Sequence, residues 1–387
     1  MAAANTTLPD LVARAAALAP LLRARAEATE HGRAVPVENM QALFDNGLMR
    51  VCQPPRHGGF VLDIDAPVAV GRELAKACPS TAWMVSIVGP HAGWTGRFCA
   101  AAQDDVWSDG EDQLIAGAQV PRGGVIRRVD GAFGFASGID HARWGFVIGA
   151  VDGEKNAVSC LLPRRDWSID DTWHVAGMKG SGSKDMHVHD AFVPAYRAER
   201  MAVLLGENPP GAAVNAGPMF RRDYPSFIGA TLLGPLLGAA EGALDAYVTA
   251  TRARTGVMFG DRPAESPTVL ARFAESAAEV RAASVLADDQ LRALVAWSGG
   301  DEALADEPRV TFARDRAFIA RLCLTAVERL AKQMGATGLH DSNPVQRHYR
   351  DLFAMTQQIG VNWDRNVLPY ARWAFGDSGA ARSNWRQ

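Results

Sequence analysis

A change of sequence texture between Gln113 and about Arg200 limits the folds open to this chain. Short runs rich in β-branched and aromatic residues alternate there with glycine-containing segments, which predicts short strands joined by turns. The predicted strands are VIRRV, FGFAS, WGFVIGAV, AVSCLLP, a Trp-His-Val strand at 173–175 and MHVHDAFVP. The predicted turns are VDGA at 129–132, VDGEKN at 151–156 and GSGS at 180–183. We therefore expect a small antiparallel β-domain over residues 113–205.

The sequence on both sides of this segment is helical. Residues 1–112 have apolar residues at helical spacing, with breaks expected at Pro79 and Pro90. Residues 206–387 contain four or five long alanine-rich segments, a composition typical of closely packed helix bundles. The prediction is an α+β fold with an N-terminal helical domain, a central antiparallel β-domain and a C-terminal four-helix bundle. The glycines of GMKGSGS do not link a strand to a helix, so they do not indicate a dinucleotide fold.

Charge and cysteine content exclude several classes of function. The 40 basic and 43 acidic residues give a net charge of −3, which argues against nucleic-acid or membrane-surface binding. The five scattered cysteines lack CxxC spacing and indicate reduced thiols in a cytoplasmic protein. The N-terminal segment has arginines among its apolar residues, so we expect a first amphipathic helix, not a signal peptide, and no membrane span.

Three motifs carry a resemblance to a known family: FASGIDHARW at 135–144, SIVGPHAGW at 86–94 and GMKGSGS at 177–183. With the Arg-Asp pair at 350–351, they resemble the oxygenase branch of the acyl-CoA dehydrogenase superfamily. The resemblance implies a homotetramer that receives reduced FAD or FMN from a separate flavin reductase. It also implies that O2 adds to the flavin as a C4a-hydroperoxide, which hydroxylates a small aromatic substrate in a dry pocket.

The resemblance assigns the first motif to the flavin ring. Phe135 would cover the isoalloxazine face, and Ser137 with Gly138 would offer a hydroxyl and a backbone N–H to its N5 and O4 edge. A simple β-bulge at Ser137–Gly138 is the structural alternative. Trp144 is assigned to the same region, packing the sheet, while Asp140 and His141 would fix the loop.

Two further groups are implied to bind the phosphate and adenine parts of a flavin held by a neighbouring subunit. Arg252 or Arg254, followed by Phe259, would reach the pyrophosphate, because guanidinium pairs with phosphate oxygens bidentately. Gly335 and Thr337 resemble the glycine-rich break near the adenine. Which arginine acts stays open, and solvated surface arginines are the alternative.

Histidines give a second set of candidates. His91 follows the helix break at Gly89–Pro90, where a neutral imidazole would line the pocket and donate to peroxide or substrate; a buried structural histidine is the alternative. His187 and His189 share one strand face, but without further ligands at metal spacing we expect no metal site and interpret them as a surface or interface pair.

The C-terminal motif departs from the family at the catalytic base. Counting from Arg350, the position of the dehydrogenase glutamate is Ile359 and that of the phenol-hydroxylase histidine is Gln358. Isoleucine cannot remove an α-proton, which disfavours acyl-CoA dehydrogenation. Gln358 can hydrogen-bond a substrate, with Asn362 as a second contact one turn along the same face.

A missing base favours a substrate that needs no deprotonation. An indole-like heteroaromatic is electron-rich without losing a proton, and we expect hydroxylation of such a ring. N- or S-oxygenation, an acyl-CoA-type dehydrogenase with a displaced base, and a flavin-free scaffold remain the alternatives.

Overall fold

The first helix begins where the sequence supplies a complete N-terminal cap. In this computed structural model, which describes residues 6–121, 125–126, 129–150, 157–255 and 262–381, the Thr7 hydroxyl accepts from the Asp10 N–H. The Asp10 carboxylate accepts in return from the Thr7 N–H, at 3.0 Å. This reciprocal capping box confirms the predicted entry at Leu8–Asp10.

The N-terminal domain is helical throughout. Its helices are α1 (Leu8–Ala24), α2 (Ala26–Gly32), α3 (Val37–Asp45), α4 (Asp65–Ala75), α5 (Pro79–Trp83), α6 (Pro90–Thr95) and α7 (Ala100–Val106). The predicted break at Pro79 lies between α4 and α5, whereas a π-helical turn, Met84–Val88, leads directly from α5 towards α6. This turn forms because Gly89 donates to the Met84 carbonyl five residues back, while Pro90 has no N–H to donate.

The central domain consists of two small sheets. Its strands are β1 (Ile115–Ala118), β2 (Val120–Pro121), β3 (Val125–Ile126), β4 (Val129–Ala136), β5 (Trp144–Ala150), β6 (Ala157–Pro163), β7 (Trp167–Asp170), β8 (Lys184–Ala191) and β9 (Ala198–Arg200). One sheet has the order β1-β5-β6-β9, and the other has the order β2-β4-β8-β7 with β3 paired to β4. The pairing is antiparallel as predicted, except that β1 runs parallel to β5.

Three local predictions in this domain were wrong, and a fourth lies outside the described residues. The VDGA segment is not a turn but part of β4, where Gly131 takes a φ of +106° at a shift of register. Residues 173–175 do not form a strand, and GSGS is not a hairpin turn: it follows a loop and leads into β8 through a short 3₁₀ turn, Lys179–Ser181. The VDGEKN segment lies outside the described residues.

The C-terminal part of the chain is a helix bundle, as predicted. Its helices are α8 (Met201–Leu205), α9 (Pro218–Arg221), α10 (Tyr224–Thr231), α11 (Leu233–Ala253), α12 (Pro267–Ser298), α13 (Asp306–Gln333), α14 (Pro344–Met355) and α15 (Trp363–Ala374). The four-helix bundle is formed by α11 to α14, with α15 packed on α13. By length and composition alone, Tyr224–Ala253 could cross a membrane, but 83% of its most apolar window is buried within the fold. This segment is therefore a core helix pair of the bundle.

A glycine stripe on α11 lets the bundle contact the N-terminal domain closely. Gly234, Gly238 and Gly242 recur every four residues against α4. A Cβ atom added at Gly238 would lie 2.0 Å from the Arg72 carbonyl oxygen. At Gly234 and Gly242 it would lie 2.5 and 2.4 Å from the carbonyl oxygens of Val68 and of Lys76, the C-cap of α4. The two helices can approach this closely only because these positions lack side chains.

We expect Gly238→Ala to lower the free energy of unfolding by about 1–3 kcal/mol, because the added methyl group meets rigid backbone. Thermal and denaturant unfolding measure the effect. Gly32→Ala is the matched control, since nothing lies within 4 Å of a Cβ added there. Equal stability changes in the two variants would contradict close packing as the cause.

Candidate active site

The end of β4 is distorted so that an aromatic ring points away from the sheet. The register between β4 and β8 shifts between Phe133 and Ala136, and Phe135 takes a left-handed φ of +66°. A bulky residue in this conformation is a backbone outlier, of the kind that clusters at functional sites. The Phe135 side chain is 50% exposed and lies edge-on to Trp173, with ring centroids 6.3 Å apart. The bulge therefore places Phe135 at the rim of a cavity, two residues before Ser137.

Ser137 belongs to a buried chain of hydroxyl groups. Its Oγ accepts from Trp83 Nε1 at 3.2 Å and lies 2.7 Å from Ser183 Oγ, which in turn lies 2.8 Å from Ser181 Oγ. The Ser181 hydroxyl also lies 2.8 Å from the Met178 carbonyl oxygen, which can only accept.

The three hydroxyl protons of this chain are just enough for its three contacts. Ser181 donates to the Met178 carbonyl, so Ser183 must donate to Ser181, and Ser137 must donate to Ser183. The Ser137 proton is thus directed into the protein. The group that Ser137 still has available is an oxygen lone pair, which is a hydrogen-bond acceptor.

Ser137 lines a cavity of about 360 Å3, here called the serine cavity. Its volume is within the range of pockets that hold drug-sized ligands. The lining residues are Trp83, Ile87, His91, Gly117, Gln119, Val120, Phe135, Ser137, Trp173, Met178, Ser181, Ser183, Ala354, Met355, Gln357, Gln358 and Ile359.

A second cavity of about 220 Å3, here called the aromatic chamber, adjoins the first. It is lined by Ile87, His91, Trp94, Gln119, Phe146, Ile148, Met201, Leu205, Tyr224, Ile228, Gly229, Leu232, Gln358, Ile359 and Gly360. The Tyr224 hydroxyl donates to the Pro90 carbonyl at 3.0 Å, and Trp94 Nε1 donates to Ser159 at 3.2 Å. Burial raises the Tyr224 pKa far above its usual value, so this phenol stays neutral. The polar groups of Tyr224 and Trp94 therefore donate to the protein and not to a ligand in the chamber.

His91 lies at the junction of the two cavities. Its Nδ1 lies 2.8 Å from the Ile115 carbonyl oxygen and must carry the proton, because a carbonyl only accepts. Burial lowers the His91 pKa to about 4, so the ring is neutral at physiological pH. The Nε2 atom of the neutral ring is then an acceptor. From the sequence we predicted that His91 donates to peroxide or substrate. The contact with Ile115 instead makes the cavity-facing nitrogen of His91 an acceptor.

Gln358 and Ile359 also line both cavities. They do not lie on a helix, because α14 ends at Met355 and a turn follows. Gln358 Oε1 accepts from the Gly360 N–H, which leaves the amide NH2 group as a donor towards the cavities.

Asn362 lies one turn after Gln358, as predicted, since the Asn362 N–H donates to the Gln358 carbonyl at 2.9 Å. The segment is a turn and not a continuing helix, and Asn362 lines neither cavity. Its side chain instead caps α15 by accepting from the Arg365 N–H at 3.3 Å.

The Arg-Asp motif anchors the loop that carries the serine chain. Asp351 is buried and accepts from the Met178 N–H at 2.6 Å. Arg350 donates to Glu30 and to the Ala176 carbonyl, and Arg347 donates to Glu30 at 3.2 Å. These contacts join α2, the loop before β8 and α14. Burial is the main cause that raises the Asp351 pKa to about 7.

We expect Asp351→Asn to change how stability depends on pH. A carboxyl group with a raised pKa in the folded state stabilises most below its unfolded pKa of about 3.8, and this contribution is lost as the pH rises through about 7. From pH 5 to pH 8 the wild type should therefore lose about 2 kcal/mol more unfolding free energy than the variant. Urea unfolding at both pH values measures this difference, with the exposed Asp289→Asn as control. Parallel pH profiles for wild type and Asp351→Asn would contradict the assignment.

Other predicted flavin contacts lie away from both cavities. Gly138, with a φ of +68°, backs onto Met84 and Val88 and lines neither cavity. Trp144 is buried in β5 beneath Arg197, whose guanidinium carbon lies 5.0 Å from the ring. Asp140 pairs with Lys184 at 2.7 Å, and His141 Nε2 contacts the Val35 carbonyl at 2.6 Å. The Asp-His segment thus fixes the loop, as expected.

The candidate phosphate and adenine residues meet at the end of the bundle. Arg254 donates to the Met334 carbonyl at 3.1 Å, and a Cβ added at Gly335 would lie 3.7 Å from its Nη2. Arg252 and Thr337 lie on the same end, and none of the four lines either cavity. Phe259 lies outside the described residues.

The histidine pair of β8 is stacked on the surface. The rings of His187 and His189 are 4.6 Å apart, His189 contacts Ser168 at 2.8 Å, and His187 lies 3.6 Å from Asp170. Among the described residues, no group of three or more metal-ligating side chains occurs.

Sequence reasoning missed several residues that form the site. Ser181 and Ser183 were treated as turn residues, although their hydroxyls set the direction of the Ser137 proton. Tyr224 and Gln119 had no motif around them, and Trp94, although it ends the SIVGPHAGW motif, was given no role. For Tyr224, the local sequence signal was its place directly after Asp223, the residue that caps the start of α10.

Comparison with known proteins agrees with this architecture. Residues 11–107 match the N-terminal domain of acyl-CoA dehydrogenases, and residues 230–363 match the C-terminal domain. The chain is 34% identical to the oxygenase subunit HsaA of a flavin-dependent monooxygenase from Rhodococcus jostii, over 93% of this chain and 97% of that protein. It is also 34% identical to the oxygenase component of an FADH2-dependent resorcinol hydroxylase from a Rhizobium species, over 92% and 91% of the two chains. The crystal structure of HsaA from M. tuberculosis superposes with a TM-score of 0.89 at 31% identity, covering 96% of this chain and 98% of that one.

The fold and the paired cavities define an acyl-CoA dehydrogenase-like flavoenzyme. Within that class, the chain belongs to the family of oxygenase components of flavin-dependent monooxygenases.

Proposed function

We propose that the serine cavity binds the isoalloxazine ring of reduced FAD or FMN and that the aromatic chamber binds a small aromatic substrate to be hydroxylated. The observation that carries this proposal is the junction: Ile87, His91, Gln119, Gln358 and Ile359 line both cavities. A ring in each cavity would meet there. The bound flavin supplies the two electrons that activate O2, and one oxygen atom is transferred to the substrate.

The residues present fit a reduced flavin. Phe135 offers an aromatic face at the rim, and Ser137 offers an acceptor lone pair inside. The N5 atom of a reduced flavin carries a proton and donates, whereas oxidised N5 accepts. An acceptor at Ser137 therefore favours the reduced form, which suits an enzyme that receives its flavin already reduced from a separate reductase.

We expect Ser183→Ala to weaken the preference for reduced flavin. Without Ser183 as acceptor, the Ser137 proton is free to turn towards the cavity and donate. The ratio of the dissociation constants for oxidised and reduced flavin should fall about fivefold, because oxidised flavin gains one hydrogen bond of about 1 kcal/mol while Ser137 can still accept from the N5–H of reduced flavin. Anaerobic titrations with both forms measure the ratio, and the control is Ser168→Ala, at a half-buried serine that lines neither cavity. If both affinities change by the same factor, proton direction is not the cause.

His91 and Gln358 orient the substrate in this proposal. An aromatic N–H or O–H donates to His91 Nε2, while the Gln358 amide can donate to a carbonyl or hydroxyl oxygen. The sequence favoured an indole-like substrate because position 358 lacks a base. The acceptor at His91 supports phenols as well as indoles, because it offers a phenol O–H a partner.

The alternatives have less support. No acidic side chain lines either cavity among the described residues, and Ile359 occupies the junction, so a base for α-proton removal from an acyl-CoA is missing. N- or S-oxygenation would use the same cavities without needing the His91 acceptor.

The proposal is tested by mixing the protein with reduced flavin, 18O2 and either indole or a simple phenol. We expect one labelled oxygen atom in the organic product. Hydrogen peroxide alone, with no labelled product from any aromatic compound, would contradict it.

We expect Gln358→Ala and His91→Phe to raise the substrate KM about tenfold and to divert oxygen to hydrogen peroxide, because each removes a substrate hydrogen bond. Flavin affinity should change less than twofold in Gln358→Ala. Steady-state kinetics with peroxide detection measures both effects, and the surface variant His187→Ala is the control. An unchanged KM in both variants would remove their proposed role.

The flavin's phosphate and adenine ends are proposed to lie at a subunit interface. Arg252 or Arg254, with Gly335 and Thr337, would contact them from a neighbouring chain of a homotetramer. Large exposed apolar side chains support a covered surface: Leu339 is 81% exposed and Phe375 is 94% exposed. All five cysteines are free thiols, which suits the cytoplasm, where we place the enzyme.

A further inference from the structure

A third cavity, here called the arginine cavity, lies between the start of α10, the first half of α13 and the turn at 359–360. Its volume is about 60 Å3. Arg309, Arg316 and Arg365 line it, and among the described residues no acidic side chain does so. A small recess with three guanidinium groups at its wall is electropositive.

Arg316 is the unusual member of this group. The residue is 6% exposed, and a Cβ added at Gly229 would lie 2.8 Å from its guanidinium carbon. Its buried Nε has no partner, and within the described part of the chain the guanidinium makes no hydrogen bond or ion pair. Burial lowers the Arg316 pKa to about 10, so the group remains charged at neutral pH.

The nearby carboxylates are already paired with other arginines. Asp315 lies 2.7 Å from Arg314, and Asp223 lies 2.9 Å from Arg309. No carboxylate contacts Arg316 directly: the charge of Asp315 acts on it, but the Asp315 carboxylate pairs with Arg314. A buried guanidinium without hydrogen bonds is costly unless a bound anion supplies them. A guanidinium pairs best with a planar carboxylate, through two parallel N–H bonds.

We propose that the arginine cavity is an anion site in which Arg316 binds a carboxylate or a small inorganic anion of similar size. The cavity shares Ile359 and Gly360 with the aromatic chamber, and Gly229 lines the chamber from the other side. The anionic group can therefore come from two sources: a free anion in solution, or a carboxylate substituent on the aromatic substrate. Only the second source rests on the proposed function.

Binding of a free anion is tested without turnover. At constant ionic strength, balanced with a bulky sulfonate, we expect bromide and acetate to raise the unfolding temperature of the wild type in a saturable way. Arg316→Met should lose this response, and Arg321→Met, an exposed arginine on the same helix, should keep it. Crystals of the wild type soaked in bromide should show anomalous density beside Arg316, which keeps the test valid if Arg316→Met does not fold.

Binding of a substrate carboxylate is tested with a pair of phenols, one carrying an acetate side chain and the other its neutral amide. The KM ratio of amide to acid should fall about tenfold or more in Arg316→Met, since a hydrogen bond to a charged group is lost, and stay unchanged in Arg321→Met.

A saturable anion response with an unchanged ratio assigns the site to free anions. No anion response, no bromide density and an unchanged ratio together overturn the site. If the proposed function fails but the anion site is real, no labelled product forms, while anions still raise the unfolding temperature of the wild type.

Discussion

The hydrogen bond from the Met178 N–H to the buried Asp351 carboxylate fixes the geometry on which the candidate active site depends. It ties the loop before β8 to α14, and the backbone contact is close: a Cβ added at Gly177 would lie 1.9 Å from the Arg350 carbonyl oxygen. The Met178 carbonyl on the same residue accepts from Ser181 and so sets the proton direction of the whole hydroxyl chain. Because Arg350 also pairs with Glu30, the C-terminal bundle, the β-domain loop and the N-terminal domain meet at this point. The orientation of one serine in the β-domain is thus determined by contacts from the other two domains.

The polar groups available to a ligand lie at the junction of the two cavities, an arrangement that suits oxygen transfer. In the aromatic chamber, Tyr224 and Trp94 direct their donors into the protein, so neither side chain donates to a ligand. At the junction, the His91 acceptor and the Gln358 donor remain available. An aromatic ring gains by burial in the apolar part, and its one polar group is satisfied only at the junction. This arrangement orients the ring towards the serine cavity and leaves few sites where water could be held beside the reacting atoms.

The sequence predicted the order of domains and the residues that follow motifs, but not those positioned by tertiary contacts. Ser137, Phe135, His91 and Gln358 were identified because each lies within or at a fixed distance from a recognisable motif, and all four line the serine cavity. Asn362 was predicted to contact the substrate because the helix was assumed to continue beyond Met355. Gly131 was assigned to a turn, although a glycine with positive φ serves a β-bulge equally well. Arg316 looked like an ordinary helix arginine, since only the packing against Gly229 shows that it is buried.

An apolar residue at position 359 helps to keep the His91 imidazole neutral. Ile359 lines all three cavities and lies beside the junction. A carboxylate at this position would attract a proton to His91, because an opposite charge nearby favours the charged imidazole. His91 Nε2 would then donate, and the acceptor for a substrate N–H or O–H would be lost. With Ile359, burial is the largest influence on the ring and lowers the His91 pKa to about 4, although the hydrogen bond with the Ile115 carbonyl acts in the opposite direction. The missing dehydrogenase base and the neutral histidine acceptor are therefore linked, because no carboxylate lines the junction among the described residues.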